Sequence, residues 1–286
     1  MRRLVVGCGY LGGRVARLWR QAGDEVYATT RGARVDELSR EGLQPIRLDV
    51  TRETAMDALP AVDTVVFAVG RSGTTMFDIH VKGLRSVLDA LPASTGRVIY
   101  VSSTGVYAQS AGEWVDEESE CEPTSDGGRA CLGGERLLFA HAHGANAVVL
   151  RMAGLYGSGR VPHANVVTAG GPISGSPSAY LNLVHVDDAS RAVAAAADLA
   201  SIAGRTYSVS DGHPPTRGEY VELVARRLAV VSPGFAGATG LGKRVRNTRV
   251  IDELGLQLHY PSCHQGLAAW PEKTVRSVDG GRRPAR

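Results

Sequence analysis

The chain has 286 residues, of which 43% are hydrophobic and 21% are charged, the balance of a soluble globular protein that can bury a substantial core. A formal net charge of +3 gives no reason to expect nucleic acid or a membrane as the main partner. No apolar run approaches the roughly 20 residues of a membrane span, and the first strand begins too early to leave room for a signal peptide. We therefore expect a cytoplasmic protein, a monomer or a homodimer, whose partner is a small molecule.

Apolar runs alternate with helical patterns through the first half of the chain. The predicted strands are Leu4–Val6, Glu25–Ala28, Pro45–Leu48, Asp63–Val69, Arg97–Val101 and Ala147–Leu150. The predicted helices between them include Arg14–Gln21, Val35–Arg40 and Met76–Leu91. Such alternation is typical of an α/β fold, a doubly wound parallel sheet with helices on both faces, and we place this domain at residues 1–155.

The second half is less regular and predicts a smaller substrate lobe over residues 156–276. The predicted strands are Leu181–Val184 and Arg205–Val209, and the predicted helices are Asp187–Leu199, Thr216–Leu228 and Asn247–Leu254. We expect residues 181–211 to return in part to the main sheet, so that this C-terminal lobe is interleaved with the first domain. Asp187 and Thr216 are predicted helix caps, and Glu219 follows Thr216 at capping-box spacing.

Three segments of the second half are rich in turn-forming residues. Residues 153–179 predict a loop-rich excursion, and residues 232–242 predict a mobile loop. The Arg/Gly-rich residues 277–286 predict a disordered tail.

A glycine-rich turn lies between the first predicted strand and the first predicted helix. Gly7, Gly9 and Gly12 have the spacing G-x-G-x-x-G in the context that a dinucleotide fingerprint requires. Gly7 allows the tight turn, Gly9 lets the backbone approach a pyrophosphate, and Gly12 lets helix and strand pack closely. Tyr10 and Leu11 lead into the helix, whose unpaired N–H groups face the anion. We predict a dinucleotide site here; an ordinary strand-to-helix turn is the alternative.

The end of the second predicted strand bears on the choice of dinucleotide. An acidic residue about 20 positions after the glycines binds the ribose hydroxyls and favours NAD. This chain has Thr30 and Arg31 instead, and an arginine can pair with a 2′-phosphate. We predict NADP(H) as the preferred cofactor; NAD(H), with Arg31 simply solvated, stays open.

Two further pairs of residues complete the predicted cofactor site. Asp49 and Val50 follow the third predicted strand, where a carboxylate can contact an adenine edge or cap a helix instead. Ala68 and Val69 end the fourth predicted strand. The ligand of an open α/β sheet binds beyond the carboxyl ends of its strands, where these residues are expected.

The segment after the fifth predicted strand has the sequence Tyr100-Val101-Ser102-Ser103-Thr104-Gly105-Val106-Tyr107. Three more patterns follow it, namely Leu150-Arg151 with Gly154-Leu155-Tyr156-Gly157, Asn182-Leu183-Val184-His185-Val186-Asp187-Asp188, and Tyr207-Ser208-Val209. With the opening glycines, these segments make the chain similar to the extended short-chain dehydrogenase/reductase superfamily, in its NAD(P)-dependent epimerase/dehydratase group. The resemblance implies a Rossmann fold with a substrate lobe.

The same resemblance implies a catalytic Ser/Thr, a tyrosine and a lysine. The serine position falls on Ser103, whose hydroxyl would hold a substrate oxygen. Aligned on Glu135, the Tyr-x-x-x-Lys positions fall on Gly127 and Cys131. The pair is missing, which resembles atypical subgroups of the superfamily.

No shifted alignment restores the pair. The chain has no lysine between Lys82 and Lys243 and no tyrosine between Tyr107 and Tyr156. Without the usual acid/base, the interconversion of an alcohol and a ketone loses roughly 10²–10⁴-fold in rate.

Tyr107 and Cys131 are the candidates for replacing this acid/base. Tyr107 lies near the expected cofactor mouth and could donate a proton, or its ring could pack against the following loop. The Cys131 thiol could transfer a proton, although a free pKa of about 8.5 and a helical setting also fit a buried core cysteine.

Thr104, Arg129, Arg160 and His185 are the predicted substrate contacts. Arg129 is always charged and suits a phosphate or carboxylate, with a solvated helix arginine as the alternative. No metal site is predicted, because the four cysteines are scattered without a C-x-x-C pattern. Two functions stay open: an NADP(H)-dependent oxidoreductase or epimerase-like enzyme with a non-standard acid/base, or a catalytically silent NADP(H)-binding sensor or interaction protein.

Overall fold

The computed structural model describes residues 1–52, 58–71, 73–198, 205–237 and 239–270. Its strands are β1 (Arg2–Val6), β2 (Glu25–Thr30), β3 (Gln44–Arg47), β4 (Thr64–Phe67), β5 (Arg97–Ser103), β6 (Ala111–Val115), β7 (Ala147–Met152), β8 (Gly154–Tyr156), β9 (Ile173–Ser174), β10 (Leu183–His185), β11 (Arg205–Val209), β12 (Phe235–Ala236) and β13 (Gly242–Val245). Its α-helices are α1 (Gly12–Gln21), α2 (Val35–Arg40), α3 (Leu84–Ala90), α4 (Asp126–Ala140), α5 (Ala164–Ala169), α6 (Val186–Asp198), α7 (Arg217–Leu228), α8 (Thr248–Leu254) and α9 (Cys263–Ala268). The predicted tail, residues 277–286, and the end of the helix predicted to reach Leu199 lie outside the described residues.

A seven-stranded sheet forms the centre of the molecule, in the order β11-β7-β5-β4-β1-β2-β3. Every pairing in it is parallel. The chain lays β2 and β3 on one side of β1 and then β4, β5, β7 and β11 on the other. The strand order therefore reverses at β1 and β4, which opens a crevice at their carboxyl ends. The predicted doubly wound α/β fold is confirmed.

Successive residues of each strand pack on opposite faces of this sheet. In β1, Val5 joins the apolar cluster that contains residues of α1 and α6, whereas Leu4 and Val6 join the cluster that contains residues of α3 and α4. All four residues of β4 are buried. A strand buried on both faces reads as a continuous apolar run, which is why the sequence pattern located these strands.

The C-terminal lobe has its own apolar cluster, which includes residues of β8, β10, α7 and α9, among them the buried Tyr156, Tyr220 and Leu267. The capping box at the start of α7 forms as predicted, since Thr216 and Glu219 bind each other's backbone N–H groups. No helix within the described ranges is both long and apolar enough to cross a membrane.

Residues 181–211 return to the main sheet through one of their two strands. β11 joins the edge of the main sheet beside β7, but β10 does not, and pairs with β8 instead. The first segment of residues 181–211 therefore stays in the smaller lobe. Residues 232–242, predicted as a loop, contain β12 and the start of β13, which pair with β9 and β6. These short strands are held by main-chain hydrogen bonds, which leave no apolar periodicity in the sequence.

Candidate active site

The glycines of the glycine loop have two different roles. Two of them are required by close packing, and one leaves room for a ligand. Gly7 has a φ of +92°, and a Cβ there would lie 2.8 Å from the backbone of Val69. A Cβ on Gly12 would collide with the carbonyl oxygen of Gly7. At Gly9, in contrast, no described atom lies within 4 Å of the Cβ position. Gly7 and Gly12 are required by the fold, whereas Gly9 leaves an open backbone surface of the kind a diphosphate needs.

Contacts with β2 and β4 hold this loop in place. The N–H of Gly7 donates to Thr29 Oγ1 at 2.9 Å, and the N–H of Ala68 donates to the carbonyl of Val6 at 2.8 Å. The first turn of α1 has no acidic residue, so the partial positive charge of its N-terminus is not opposed. Predicted residues Tyr10, Leu11, Ala68 and Val69 thus surround one edge of the crevice, and the residues present fit a dinucleotide.

Two arginines lie in the loop between β2 and α2. Arg31 is exposed and makes no hydrogen bond within the part of the chain that the structure describes. Arg34 was not singled out from the sequence. Its Nη1 donates to the carbonyl of Cys8 in the glycine loop at 2.6 Å, and its Nε and Nη2 donate to the carboxylate of Glu37. The signal that could have found it is its spacing, three residues beyond Arg31 in the same loop.

Asp49 forms a local turn next to these cations. Its Oδ1 accepts hydrogen bonds from the N–H and the hydroxyl of Thr51, at 3.1 and 2.7 Å. The Thr51 hydroxyl bond is the main cause that holds the pKa of Asp49 below its usual value, and the charges of Arg31 and Arg52 add to it. Val50 is buried in the core. The carboxylate stays ionised close to the charge of Arg31.

Ser103 ends β5 and begins a single 3₁₀ turn at Thr104–Val106. Its Oγ accepts the N–H of Gly105 at 3.0 Å, while Thr104 is 8% exposed. The first turn of α4 packs against this turn, because a Cβ on Gly128 would collide with the carbonyl of Gly105. A Cβ on Gly127 would meet no described atom within 4 Å. Gly127, the position that the sequence comparison assigns to the family tyrosine, therefore borders open space.

A buried polar network lies behind the Ser103 segment. Glu135 accepts a hydrogen bond from Ser102 at 2.5 Å and pairs with Arg151 at 2.8 Å, with both side chains less than 10% exposed. Arg151 also donates to the hydroxyl of Tyr107 at 3.0 Å, and that hydroxyl lies 2.8 Å from Ser208 Oγ. The network joins β5, α4, β7 and β11.

The two candidate acid/base residues are enclosed by this region. Tyr107 is 2% exposed and Cys131 is 3% exposed, and both belong to a small apolar cluster with Val106, Val115 and Val245. Burial raises the pKa of Tyr107, and burial raises the pKa of Cys131 to about 11. Both groups stay protonated at neutral pH. Their surroundings favour a structural role for each of them.

A lysine approaches the same segment from the smaller lobe. Lys243 in β13 donates from Nζ to the carbonyl of Tyr107 at 2.6 Å, and burial lowers its pKa. The sequence gives no signal for this contact, because the two residues lie 136 positions apart.

The predicted substrate contacts lie at separate places. Arg129 is on the surface of α4, bound to Asp126 and to the carbonyl of Thr124. Arg160 is exposed in a turn above the glycine loop, with its Cζ 5.5 Å from the ring centroid of Tyr10. The structure does not bring these two arginines to Ser103 by any contact among the described residues.

His185 is buried between two aromatic rings. Its ring centroid lies 5.2 Å from that of Tyr156 and 3.8 Å from that of Tyr260, and burial lowers its pKa. The predicted Asp187 cap is wrong. α6 begins at Val186, the Asp187 N–H donates to His185 Nδ1 at 3.3 Å, and the Asp187 carboxylate binds Arg14 instead.

Comparison with known proteins decides the family. A model of the NAD dependent epimerase/dehydratase family matches residues 3–210. The chain belongs to this family. Protein YeeZ from Escherichia coli (strain K12) is similar to it, with 28% identity over 269 residues that cover 90% of this chain and 95% of that protein. The family resemblance that the sequence motifs indicate is confirmed.

Solved structures are similar over nearly the whole chain. A candidate NAD-dependent epimerase/dehydratase from Methylobacillus flagellatus has 30% identity and a TM-score of 0.75, covering 94% of this chain and 96% of that chain. UDP-glucuronic acid 4-epimerase from Bacillus cereus in complex with NAD has 18% identity and a TM-score of 0.78, covering 94% and 97%. The latter shows the shared fold alone. As a member of this family, the protein is NAD(P)-binding and oxidoreductase- or epimerase-like.

Proposed function

We propose that this protein is an NADP(H)-preferring oxidoreductase or epimerase-like enzyme that acts on a small molecule without a Tyr–Lys acid/base. The observation that carries the proposal is the open backbone at Gly9 together with the exposed Arg31, which directly follows β2. A 2′-phosphate carries charge that a guanidinium can neutralise with two parallel hydrogen bonds. Neither Thr30 nor Arg31 offers the carboxylate that would repel it.

The residues divide the work of binding between the two ends of the crevice. Gly9 and the start of α1 hold the diphosphate, and Arg31 faces the 2′-phosphate. The nicotinamide ring, when bound, supplies a hydride donor or acceptor. Ser103, at the carboxyl end of β5, orients a substrate oxygen by a hydrogen bond, and the open space at Gly127 gives the substrate room.

The cofactor preference is tested by Arg31→Ala. We expect the Kd for NADPH to rise about tenfold or more, since a charge-assisted contact is lost. The Kd for NADH should change less than about twofold, measured by isothermal titration calorimetry. Arg40→Ala removes one exposed positive charge from the adjacent helix and is the control for a general charge effect. Equal losses for the two dinucleotides would contradict the preference.

A silent NADP(H)-binding protein is the second candidate, favoured by the burial of Tyr107 and Cys131 and the glycine at position 127. Turnover of carbonyl, enone and nucleotide-sugar substrates separates the two. Nicotinamide absorbance detects net reduction, and product analysis detects an epimerase that returns its hydride. Turnover that Ser103→Ala lowers supports the enzyme, whereas tight NADPH binding with no product from any class supports the silent protein.

A further inference from the structure

Two guanidinium groups from different parts of the chain lie close to the ring of Tyr10. The Cζ of Arg14 is 4.4 Å from the ring centroid, and the Cζ of Arg160 is 5.5 Å from it. Both distances are within the range of a cation–π contact. Tyr10 directly follows Gly9, the open position of the glycine loop. A cation from the smaller lobe is thus held at the loop that the dinucleotide must approach.

The two arginines differ in what they bind. Arg14 donates to the carboxylate of Asp187 at 3.0 Å and to the carbonyls of Tyr10 and Ser158, at 2.9 and 3.2 Å. These bonds join α1 to α6 and to the turn that contains Arg160. Arg14 is therefore occupied by protein oxygens and acts as a brace.

The guanidinium of Arg160, in contrast, has N–H groups available for a ligand. Its side chain is exposed, and no oxygen of the described ranges accepts a hydrogen bond from its guanidinium. Its backbone, in contrast, is fixed, because Gly157 and Arg160 exchange two main-chain hydrogen bonds of 2.9 Å. A positioned guanidinium with free N–H groups suits a phosphate oxygen pair.

We propose that Arg160 binds the diphosphate of the dinucleotide, held over the glycine loop by the Tyr10 ring and the Arg14 brace. This inference rests on the proposed dinucleotide binding. It assigns Arg160 to the cofactor, whereas the sequence alone predicts a substrate contact. The smaller lobe thereby contributes a cofactor contact and closes the crevice over the diphosphate. Because NADPH and NADH carry the same diphosphate, Arg160 serves both equally, whereas Arg31 serves the 2′-phosphate alone.

Calorimetric titration of Arg160→Ala tests the proposal. We expect the Kd values for NADPH, NADH and ADP-ribose to rise by about the same factor, tenfold or more. Binding of 2′-AMP, which lacks the diphosphate, should stay within twofold. Arg136→Ala removes an exposed arginine from α4 and is the matched control. Tyr10→Leu should weaken all three diphosphate ligands in the same direction, because Arg160 loses its support.

Other results of these titrations distinguish a failure of the Arg160 contact from a failure of the proposed function. Unchanged Kd values for NADPH and NADH in Arg160→Ala would overturn the proposed contact between Arg160 and the diphosphate, while leaving the proposed function intact. Weaker binding of UDP-glucose alone would assign Arg160 to a substrate diphosphate and overturn it too. If the wild-type protein binds no NADPH, NADH or ADP-ribose, both the proposed function and the proposed contact of Arg160 are overturned.

Discussion

The glycine loop and the Ser103 segment lie at the carboxyl ends of strands in one parallel sheet, but they use their polar groups in opposite ways. Around the loop, Gly9 is open and Arg31 and Arg160 are exposed, without hydrogen-bond partners among the described residues. Behind Ser103, Glu135 and the hydroxyl of Tyr107 are buried and paired within the protein. The first region is built to receive an anion, whereas the second uses its charges to hold the fold.

Buried contacts behind Ser103 fix helix α4 in place. The Glu135–Arg151 pair fixes α4 against β7 whether or not α4 carries a tyrosine and a lysine. The two glycines in the first turn of α4, Gly127 and Gly128, differ in how closely they are packed. Gly128 is required for close packing, and Gly127 is not.

Breaking the buried pair should have the largest effect. Glu135→Ala leaves the guanidinium of Arg151 buried without its carboxylate, and we expect the free energy of unfolding to fall by about 3–5 kcal/mol. Urea denaturation followed by circular dichroism measures this. Arg129→Ala, which breaks an exposed ion pair on the same helix, should cost less than about 1 kcal/mol. Similar losses in the two variants would mean that the network is not sealed from water.

Filling the open position of the glycine loop should weaken dinucleotide binding strongly without unfolding the protein. A valine at Gly9 enters space that no described atom occupies, so Gly9→Val should change stability by less than about 1 kcal/mol. The Kd for NADPH should rise about 100-fold or more, equal to about 2.7 kcal/mol. Gly12→Val is the contrasting variant, because its side chain collides with Gly7 and should lower stability as well. Normal NADPH binding by Gly9→Val would place the cofactor elsewhere.

The smallest expected effect comes from removing the Tyr107 hydroxyl. It tests whether the region behind Ser103 has only a structural role. Tyr107→Phe removes the contacts with Ser208 and Arg151, which should lower stability by about 1–2 kcal/mol. Since burial raises the pKa of Tyr107, its hydroxyl stays protonated as pH rises through neutrality and gives no titration there. The pH–rate profile of any turnover should therefore be the same in the variant. Loss of an alkaline limb together with a large fall in kcat would assign the proton transfer to Tyr107.

Much of the first domain could be predicted because its determinants are local. Buried parallel strands read as apolar runs such as Thr64–Phe67, and the turn between β1 and α1 needs glycines at fixed positions for steric reasons. The alanine-rich helix α6 was also found, but not its cap, since the preceding residue, His185, accepts the hydrogen bond instead. Which group accepts this hydrogen bond depends on how the chain passes from β10 into α6.

The amino-acid sequence by itself determined the parallel sheet and the glycine loop, because these follow from short-range spacing and residue identity. Only the tertiary structure decided that β10 pairs with β8, that Tyr107 is sealed by Arg151 and Ser208, and that Arg160 lies over Tyr10. Those contacts join residues between 29 and 150 positions apart, where side-chain partners are chosen by packing of whole elements, and no local pattern records that choice.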